Sequence, residues 1–229
     1  MNLKFWEKWI IVQPERVLLR KHLSELMPSN FESVLDVGGG DGNRYRNMFK
    51  GVRYICLDYD SELKPDVVAS ADNMPFENGE FELVFSSQML EHVLHPRDCL
   101  LEMNRVLQDG KFLIITIPQT NELHSEPYDY WRFTCFGMKQ LLMESNFELV
   151  QMIQRGSIFT VINQILVRFL IDRYNVYEKK INLLFVYPIT KVLNLFFNLL
   201  EVSFGSSVAA RKHTLGWTIL AKKKIYKAP

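Results

Sequence analysis

Cysteine is scarce in this chain of 229 residues, which contains only Cys56, Cys99 and Cys135. The three positions lie far apart, are odd in number and have no metal-ligand spacing. The sequence therefore favours neither a disulfide framework nor a zinc site. We predict a protein of a reducing cytoplasm that holds no metal ion.

The sequence also lacks internal repeats, low-complexity segments and any uncharged apolar run of about 18 residues. Residues 1–13 combine Trp6 and Trp9 with charged side chains and have neither the continuous apolar core nor the cleavage site of a signal peptide. A secreted protein and a membrane-spanning helix are both disfavoured. Because 48% of the residues are hydrophobic, the chain can bury a full core, and its length fits one domain.

Charge is unevenly distributed along the chain, although the formal net charge is only +1. Residues 1–150 contain 15 Lys/Arg against 23 Asp/Glu, whereas residues 151–229 contain 12 against 3. The basic part could meet an anionic surface such as lipid headgroups or phosphate. The alternative is a solvated basic face that complements the acidic part within one fold.

Short apolar runs alternate with segments of helical spacing along most of the chain. Strands are predicted at residues 33–37, 53–57, 67–69, 81–85, 110–117, 147–152 and 214–221. Helices are predicted at residues 13–26, from about Asn43, at 99–106, at 134–145 with Thr134 as N-cap, and across 157–204. This alternation predicts an α/β fold with a single doubly wound, mostly parallel sheet and helices on both faces.

A glycine-rich turn follows the first predicted strand. Asp36 is followed by Gly38, Gly40 and Gly42 at alternate positions, which allows positive φ angles and close approach of a ligand to the backbone. A nicotinamide fingerprint reads G-x-G-x-x-G, and here the third glycine comes one residue too early. Asp36 and Asp41 would also repel a pyrophosphate. The turn therefore predicts a cationic ligand, such as a sulfonium with an amino group.

A carboxylate also stands where the second predicted strand ends. Ligands of open α/β sheets bind beyond the carboxyl ends of the strands, so Asp58 is positioned to accept both hydroxyl protons of a ribose. Asp60 is the alternative, although it falls two residues further on, in the predicted loop.

Five segments resemble, in order and spacing, the motifs of the class I S-adenosylmethionine-dependent methyltransferases, and in particular their small stand-alone members. The segments are residues 34–42, 55–58, 71–76, 81–93 and 105–110. The resemblance implies S-adenosylmethionine as cofactor, a Rossmann-like fold and an antiparallel final strand. One departure is Gln108-Asp109-Gly110-Lys111, where the family usually has a proline followed by two glycines.

The resemblance also implies roles for residues around the cofactor. Asp72 would accept from the exocyclic amine of adenine, and the backbone near Asn73 and Met74 would meet the ring. Ser87 and Gln88 would line the methionine end of the pocket. Asp72 alone could equally be a turn residue.

Methyl transfer to a hydroxyl benefits from a base of near-neutral pKa, which makes His92 and His124 the candidates. His92 could instead be a loop histidine that holds backbone. We predict that His124, Asp129 and Tyr130 face the acceptor, because the aromatic and charged run 124–134 resembles methyltransferases of bacterial surface-sugar and natural-product pathways. In the alternative interpretation, Asp129 pairs with Arg132 and the aromatic residues attach the loop to the core.

The predicted domain, residues 1–229, has four parts: an N-terminal helical segment at 1–30, a cofactor-binding core at 31–155, a helical insertion or cap at 156–212, and the last strand and tail at 213–229. The insertion is apolar around most of its surface, with sparse polar positions. It could form a lid over the acceptor pocket, a homodimer face through 157–204, or a helical pair on the inner face of a membrane.

The sequence leaves rival functions open. A non-catalytic cofactor-binding subunit of the same fold is one, although the intact glycines and acidic residues oppose decay of the cofactor site. A nicotinamide oxidoreductase is opposed by the glycine spacing. Nucleic-acid methylation is disfavoured, because no basic stripe interleaved with aromatic residues flanks the predicted catalytic end.

Overall fold

The computed structural model describes residues 14–225. Residues 1–13, in which we found no signal-peptide pattern, lie outside the described residues, as do residues 226–229. Strands β1 (Ser33–Val37), β2 (Arg53–Asp58), β3 (Val67–Val68), β4 (Phe81–Ser87), β5 (Leu107–Pro118), β6 (Phe147–Gln154) and β7 (Gly216–Lys223) form one sheet. The helices are α1 (Pro14–Leu26), α2 (Pro96–Val106), α3 (Cys135–Glu144), α4 (Ile158–Arg173) and α5 (Leu183–Phe204).

The seven strands are arranged in the order β3-β2-β1-β4-β5-β7-β6. The pairs β1–β2, β1–β4, β2–β3 and β4–β5 are parallel, and the final strands are antiparallel, as the sequence and its resemblance predict. All five residues of β1 are buried, which explains why this central strand reads as a continuous apolar run rather than an alternating one. The chain order reverses beside β1, so the carboxyl ends of β1 and β4 flank the position where such sheets bind ligands.

Helix ends follow local sequence signals. The side chain of Thr134 accepts a hydrogen bond from the Gly137 amide, which confirms Thr134 as the N-cap of α3. Pro96 begins α2, where a missing amide hydrogen costs nothing.

Two predictions of helix are wrong. The helix expected from about Asn43 is replaced by turns and a single 3-10 turn at Arg46–Phe49. The Asp41 carboxylate accepts from the Asn43 amide at 3.0 Å, a local bond that competes with helical pairing. Among the described residues, the segments between β2 and β4 contain only one more 3-10 turn, Ser61–Leu63, instead of helices.

Pro188 and Lys191 break the apolar run of the sequence, but helix α5 continues through both positions. The insertion therefore contains two helices, of 16 and 22 residues. Pro188 lies within the first two turns of α5, where one lost backbone hydrogen bond is tolerated by the long helix that follows.

The predicted domain comprises two compact units in the structure. Of the described residues, the larger unit contains 23–119, 123–153 and 217–225, and it holds the main core between sheet and helices. The smaller unit contains residues 14–22, 120–122 and 154–216, with α4 and α5 and a small core of its own. All the predicted site residues belong to the larger unit.

Candidate active site

The glycine turn after β1 has the backbone conformation that its sequence predicts. Gly38, Gly40 and Gly42 have φ angles of 75°, 63° and 69°. A Cβ atom on Gly38 would lie 2.3 Å from Cγ of Met89, so packing excludes a side chain there. At Gly40 the nearest heavy atom to such a Cβ is 3.7 Å away, in the side chain of Leu63, so this part of the turn has space for a ligand.

Asp58 joins the glycine turn to the end of β2. Its side chain is buried, and Oδ2 accepts from the Gly40 amide at 2.8 Å while Oδ1 accepts from the Asp60 amide at 3.0 Å. A carboxylate has about four acceptor positions, so both oxygens can still accept from ribose hydroxyl groups. Asp60 caps the 3-10 turn that follows by accepting from the Glu62 amide, which gives this alternative a structural role.

Asp36 lies beneath the glycine turn. Its buried carboxylate accepts from the hydroxyl of Tyr54, and a Cβ atom on Gly39 would lie 2.7 Å from its Cγ. Burial raises the pKa of Asp36 to about 7 against the opposing hydrogen bond from Tyr54. A direct contact of Asp36 with a cationic cofactor stays a prediction, and the structure adds a second role, which is support of the turn.

We expect Asp36→Asn to change how stability depends on pH. The folded pKa of Asp36 is raised above the ordinary value of 3.8, so the wild type binds an extra proton when folded and loses stability as pH rises from about 4 to about 7. The loss amounts to roughly 1 kcal/mol per pH unit between pH 5 and 7. Urea unfolding of the ligand-free protein should show this slope, and Asp36→Asn should remove it. Asp60→Asn is the control and should keep the wild-type slope. An equal slope in the wild type and in Asp36→Asn would contradict the raised pKa of Asp36.

A chain of hydroxyl groups occupies the carboxyl ends of β4 and β5. Oγ of Ser87 lies 2.8 Å from the Tyr45 hydroxyl and 2.8 Å from Oγ1 of Thr116, to which Gln88 donates at 3.2 Å. Sequence reasoning missed Tyr45 and Thr116. Thr116 was detectable as a polar residue near the end of a buried strand, whereas no pattern points to Tyr45. That Ser87 and Gln88 line the methionine end stays a prediction.

The segment predicted to meet adenine is held by an ion pair that the sequence did not reveal. Met74 is buried and its amide donates to Glu102 at 2.8 Å, while Arg105 donates to the Met74 carbonyl at 3.0 Å. Asp72 is exposed and accepts from Ser70 at 2.5 Å, and Asn73 is exposed as well. Their contacts with adenine stay predictions, and Arg105 and Glu102 position the backbone around them.

His92 lies in a short 3-10 turn, Leu90–His92. The turn directly follows Met89, whose side chain occupies the space beside Gly38. Its Nδ1 is 2.6 Å from the Tyr128 carbonyl oxygen, which can only accept, so Nδ1 carries a hydrogen and Nε2 is the basic nitrogen. Burial lowers the pKa of His92, so the ring is neutral near pH 7. A neutral ring with a basic Nε2 is compatible with a general base, and the catalytic role of His92 stays a prediction.

His124 stands against His92, with ring centroids 4.8 Å apart in an edge-to-face arrangement. Its Nδ1 is 3.5 Å from Asp129. Asp129 itself binds Arg132 through both oxygens, at 2.6 and 2.8 Å, and this contact holds the pKa of Asp129 well below its usual range. The pairing of Asp129 with Arg132 that we considered as the alternative is therefore present. That Asp129 and His124 also face the acceptor stays a prediction.

Backbone contacts attach the 124–134 loop to the turn that contains His92. The amides of Tyr130 and Trp131 donate to the Glu91 carbonyl at 2.9 and 3.2 Å, and the Trp131 indole donates to the Val93 carbonyl at 2.9 Å. The side chain of Tyr130 is 39% exposed, so it remains accessible to an acceptor. A role for Tyr130 in acceptor binding stays a prediction.

Glu91, His92 and His124 also form a group that sequence reasoning did not identify. Each offers one ligand atom within 4.8 Å of the others, and Glu91 is fully buried. Two imidazoles and a carboxylate are a set that divalent transition metals accept. The sequence predicts no metal ion. Removal of divalent cations by a chelator would show whether His92 acts as a base or as a metal ligand.

Residues 35–115 match the family model described as a methyltransferase domain. The ubiquinone/menaquinone biosynthesis C-methyltransferase UbiE of Stutzerimonas stutzeri is 32% identical over 84 residues, which are 36% of this chain and 33% of that protein. The UbiE protein of Pseudomonas savastanoi is 28% identical over 137 residues, which are 50% of this chain and 54% of that protein. The chain thus spans between a third and about half of the length of these relatives.

Among solved structures, Haemonchus contortus phosphoethanolamine N-methyltransferase 2 in complex with phosphomonomethylethanolamine and S-adenosylhomocysteine superposes with a TM-score of 0.55. The two chains are 14% identical, and the match covers 92% of this chain and 53% of that chain. At this identity the likeness concerns the fold alone.

The sheet order and the glycine turn define a Rossmann-like fold of the methyltransferase type. The match of residues 35–115 to a methyltransferase domain agrees with the resemblance to class I S-adenosylmethionine-dependent methyltransferases. The sequence predictions of the fold and of S-adenosylmethionine as cofactor are confirmed.

Proposed function

We propose that this protein transfers a methyl group from S-adenosylmethionine to a small-molecule acceptor, with a hydroxyl group of a sugar, a lipid-linked glycan or a natural product as the favoured target. The observation that carries the proposal is the bond from the Gly40 amide to Asp58, which joins the glycine turn and the acidic end of β2 into one cradle. The open space at Gly40 and the acceptor capacity of Asp58 both fit a ribose-containing ligand.

Bound in this cradle, S-adenosylmethionine supplies an electrophilic methyl group on a sulfonium. The residues of this chain then align the acceptor and exclude water, which is the main requirement of an in-line displacement. Nε2 of His92 takes the proton of an attacking hydroxyl, while the Tyr128 carbonyl holds the ring in the required tautomer. Asp129 and Arg132 keep the acceptor loop in place beside that ring.

Asp58→Ala should weaken S-adenosylmethionine binding about 10- to 150-fold, because it removes a charge-assisted acceptor worth about 1.5–3 kcal/mol. Calorimetric titration with the cofactor and with its demethylated product measures the effect, and NAD should give no heat of binding with the wild type. Asp60→Ala is the matched control and should bind as the wild type does. An unchanged dissociation constant in folded Asp58→Ala would move the ribose role elsewhere, and tight NAD binding without a response to the sulfonium would overturn the function.

A second candidate acceptor is a carbon atom of a quinone precursor. The UbiE proteins of Stutzerimonas and Pseudomonas, 32% and 28% identical over their matched parts, are named as ubiquinone/menaquinone biosynthesis C-methyltransferases. Incubation of cell extract with labelled S-adenosylmethionine separates the two classes, because hot hydriodic acid releases the label of an O-methyl ether as methyl iodide and leaves the label of a ring C-methyl group in place. Absence of any labelled product would favour the non-catalytic cofactor-binding alternative.

A further inference from the structure

We propose that α4 and α5 form a helical hairpin that docks on the surface of an anionic lipid bilayer. The proposal goes beyond methyl transfer, since the hairpin belongs to the smaller unit and every predicted site residue belongs to the larger one. It also replaces the interpretation of the insertion as a buried cap, because the apolar face of α5 is exposed in the structure.

Large apolar side chains cover the outside of the hairpin. On α5 they run from one end of the helix to the other, with Leu184 69%, Val192 68% and Val202 79% exposed. The full set on the two helices is Ile162, Ile165, Leu166, Phe169, Leu184, Phe185, Ile189, Val192, Leu195, Phe196, Leu199, Val202 and Phe204. A contiguous apolar surface of this extent is rare on a soluble monomer and marks a binding surface.

Several polar side chains, in contrast, point into the hairpin. Asn163 is 3% exposed and donates to Asn194 at 2.8 Å, which joins the two helices. The Glu201 carboxylate accepts from the hydroxyl groups of Ser157 and Thr160 at 2.6 and 2.8 Å. Polar contacts between helices with apolar side chains outside are the arrangement that helices adopt in contact with lipid, where the surrounding medium is apolar.

Charge favours a lipid surface over a second copy of the chain. With Glu201 turned inward, Lys191 is the one charged side chain that α5 exposes. At the end of α4 and in the connection to α5, the exposed Arg173 and Lys179 are accompanied by the exposed Asp172 and Glu178. The net basic charge of the hairpin surface therefore comes from Lys191 and from Arg211 and Lys212, which lie exposed after α5. Two such faces in a dimer would bring like charges together, whereas anionic headgroups would neutralise them.

The hairpin is better suited to lie on the bilayer than to cross it. Helix α5 is long and apolar enough to span by length and composition, and its most apolar 18 residues are only 11% buried. The chain enters the hairpin after β6 and leaves it into β7. Because these two strands are neighbours in the sheet, the chain leaves and re-enters the sheet at adjacent strands. Arg173 and Lys179 at the far end would be costly to carry through hydrocarbon.

Flotation of the full chain with vesicles tests the proposal. The wild type should bind vesicles that contain phosphatidylglycerol, bind pure phosphatidylcholine weakly, and lose affinity as salt rises. The triple variant Val192→Ser/Phe196→Ser/Leu199→Ser should lose at least about 100-fold in affinity, because it removes apolar area that enters the interface. Phe136→Ser is the matched control, since Phe136 is 76% exposed on α3, and it should bind as the wild type does.

A second variant tests the charge. Lys191→Gln/Arg211→Gln/Lys212→Gln should weaken binding to anionic vesicles about 100-fold, because each of the three basic side chains contributes about fivefold to the affinity. Thermal unfolding and cofactor titration of each variant establish that the fold and the cofactor site persist, so the docking proposal can fail while methyl transfer stands. A wild type that does not float overturns the proposal. So does a wild-type dimer in sedimentation that the triple serine variant dissociates, because the apolar face would then be a subunit interface.

Discussion

Gly38→Ala should abolish measurable cofactor binding and lower the free energy of unfolding by about 2–5 kcal/mol, the sum of backbone strain and overpacking. Gly38 has a φ angle of 75°, and an added Cβ would lie 2.3 Å from Cγ and 2.8 Å from Cβ of Met89. Met89 is buried, so it cannot move into solvent. Chemical unfolding gives the stability, and calorimetric titration gives the affinity.

Two other glycines separate the causes of this loss. Gly51 has a φ angle of 86° and nothing within 4 Å of an added Cβ, so Gly51→Ala should cost strain alone, about 1–2 kcal/mol. Gly40→Ala should cost a similar amount of stability, because its nearest neighbour is 3.7 Å away, yet it should impair cofactor binding. If Gly38→Ala were no less stable than Gly51→Ala, the contact with Met89 would not matter.

His92→Gln should lower kcat about 10²- to 10⁴-fold while the cofactor dissociation constant stays unchanged, because a general base contributes to the reaction and not to cofactor binding. The lowered pKa of His92 means that wild-type kcat falls only when pH drops below the ordinary histidine value of 6.5. His92→Gln should lack this acid limb. The measurement uses the acceptor recovered from the labelled-extract screen. A folded His92→Gln variant with full kcat would remove the base assignment.

Chelation distinguishes a base from a metal ligand in the same experiment. If Glu91, His92 and His124 hold a divalent cation, activity should disappear with EDTA and return with added metal. If His92 is a base, EDTA should leave kcat unchanged. His124→Asn serves as the comparison. A metal site would need His124 as a ligand, whereas a base at Nε2 of His92 would not, since the His124 ring only lies beside the His92 ring.

Local sequence signals were sufficient for the elements that depend on neighbouring residues. Alternate glycines after an apolar strand require positive φ angles, and all three have them. Thr134 caps its helix because the acceptor and the amide are three residues apart. The helix expected from Asn43 failed for an equally local reason, since Asp41 binds the Asn43 amide, and side-chain competition of this kind leaves little trace in hydrophobic periodicity.

Local sequence signals could not predict contacts between residues that are distant in the chain. Tyr54 supports Asp36, Tyr45 and Thr116 join Ser87, and Arg105 holds the Met74 segment. Each pair is 18 or more residues apart, because strand pairing and helix packing, not sequence proximity, bring them together.

The amino-acid sequence by itself determined the class of this protein, since the order of strands, glycines and acidic residues specifies a cofactor cradle through local backbone preferences. Tertiary structure decided how the site is built and which way the insertion faces. Hydrophobic periodicity locates a helix but cannot tell whether its apolar side meets protein or solvent, because that depends on what packs against it. In α4 and α5 several polar groups pair with one another, and many large apolar side chains are left outside.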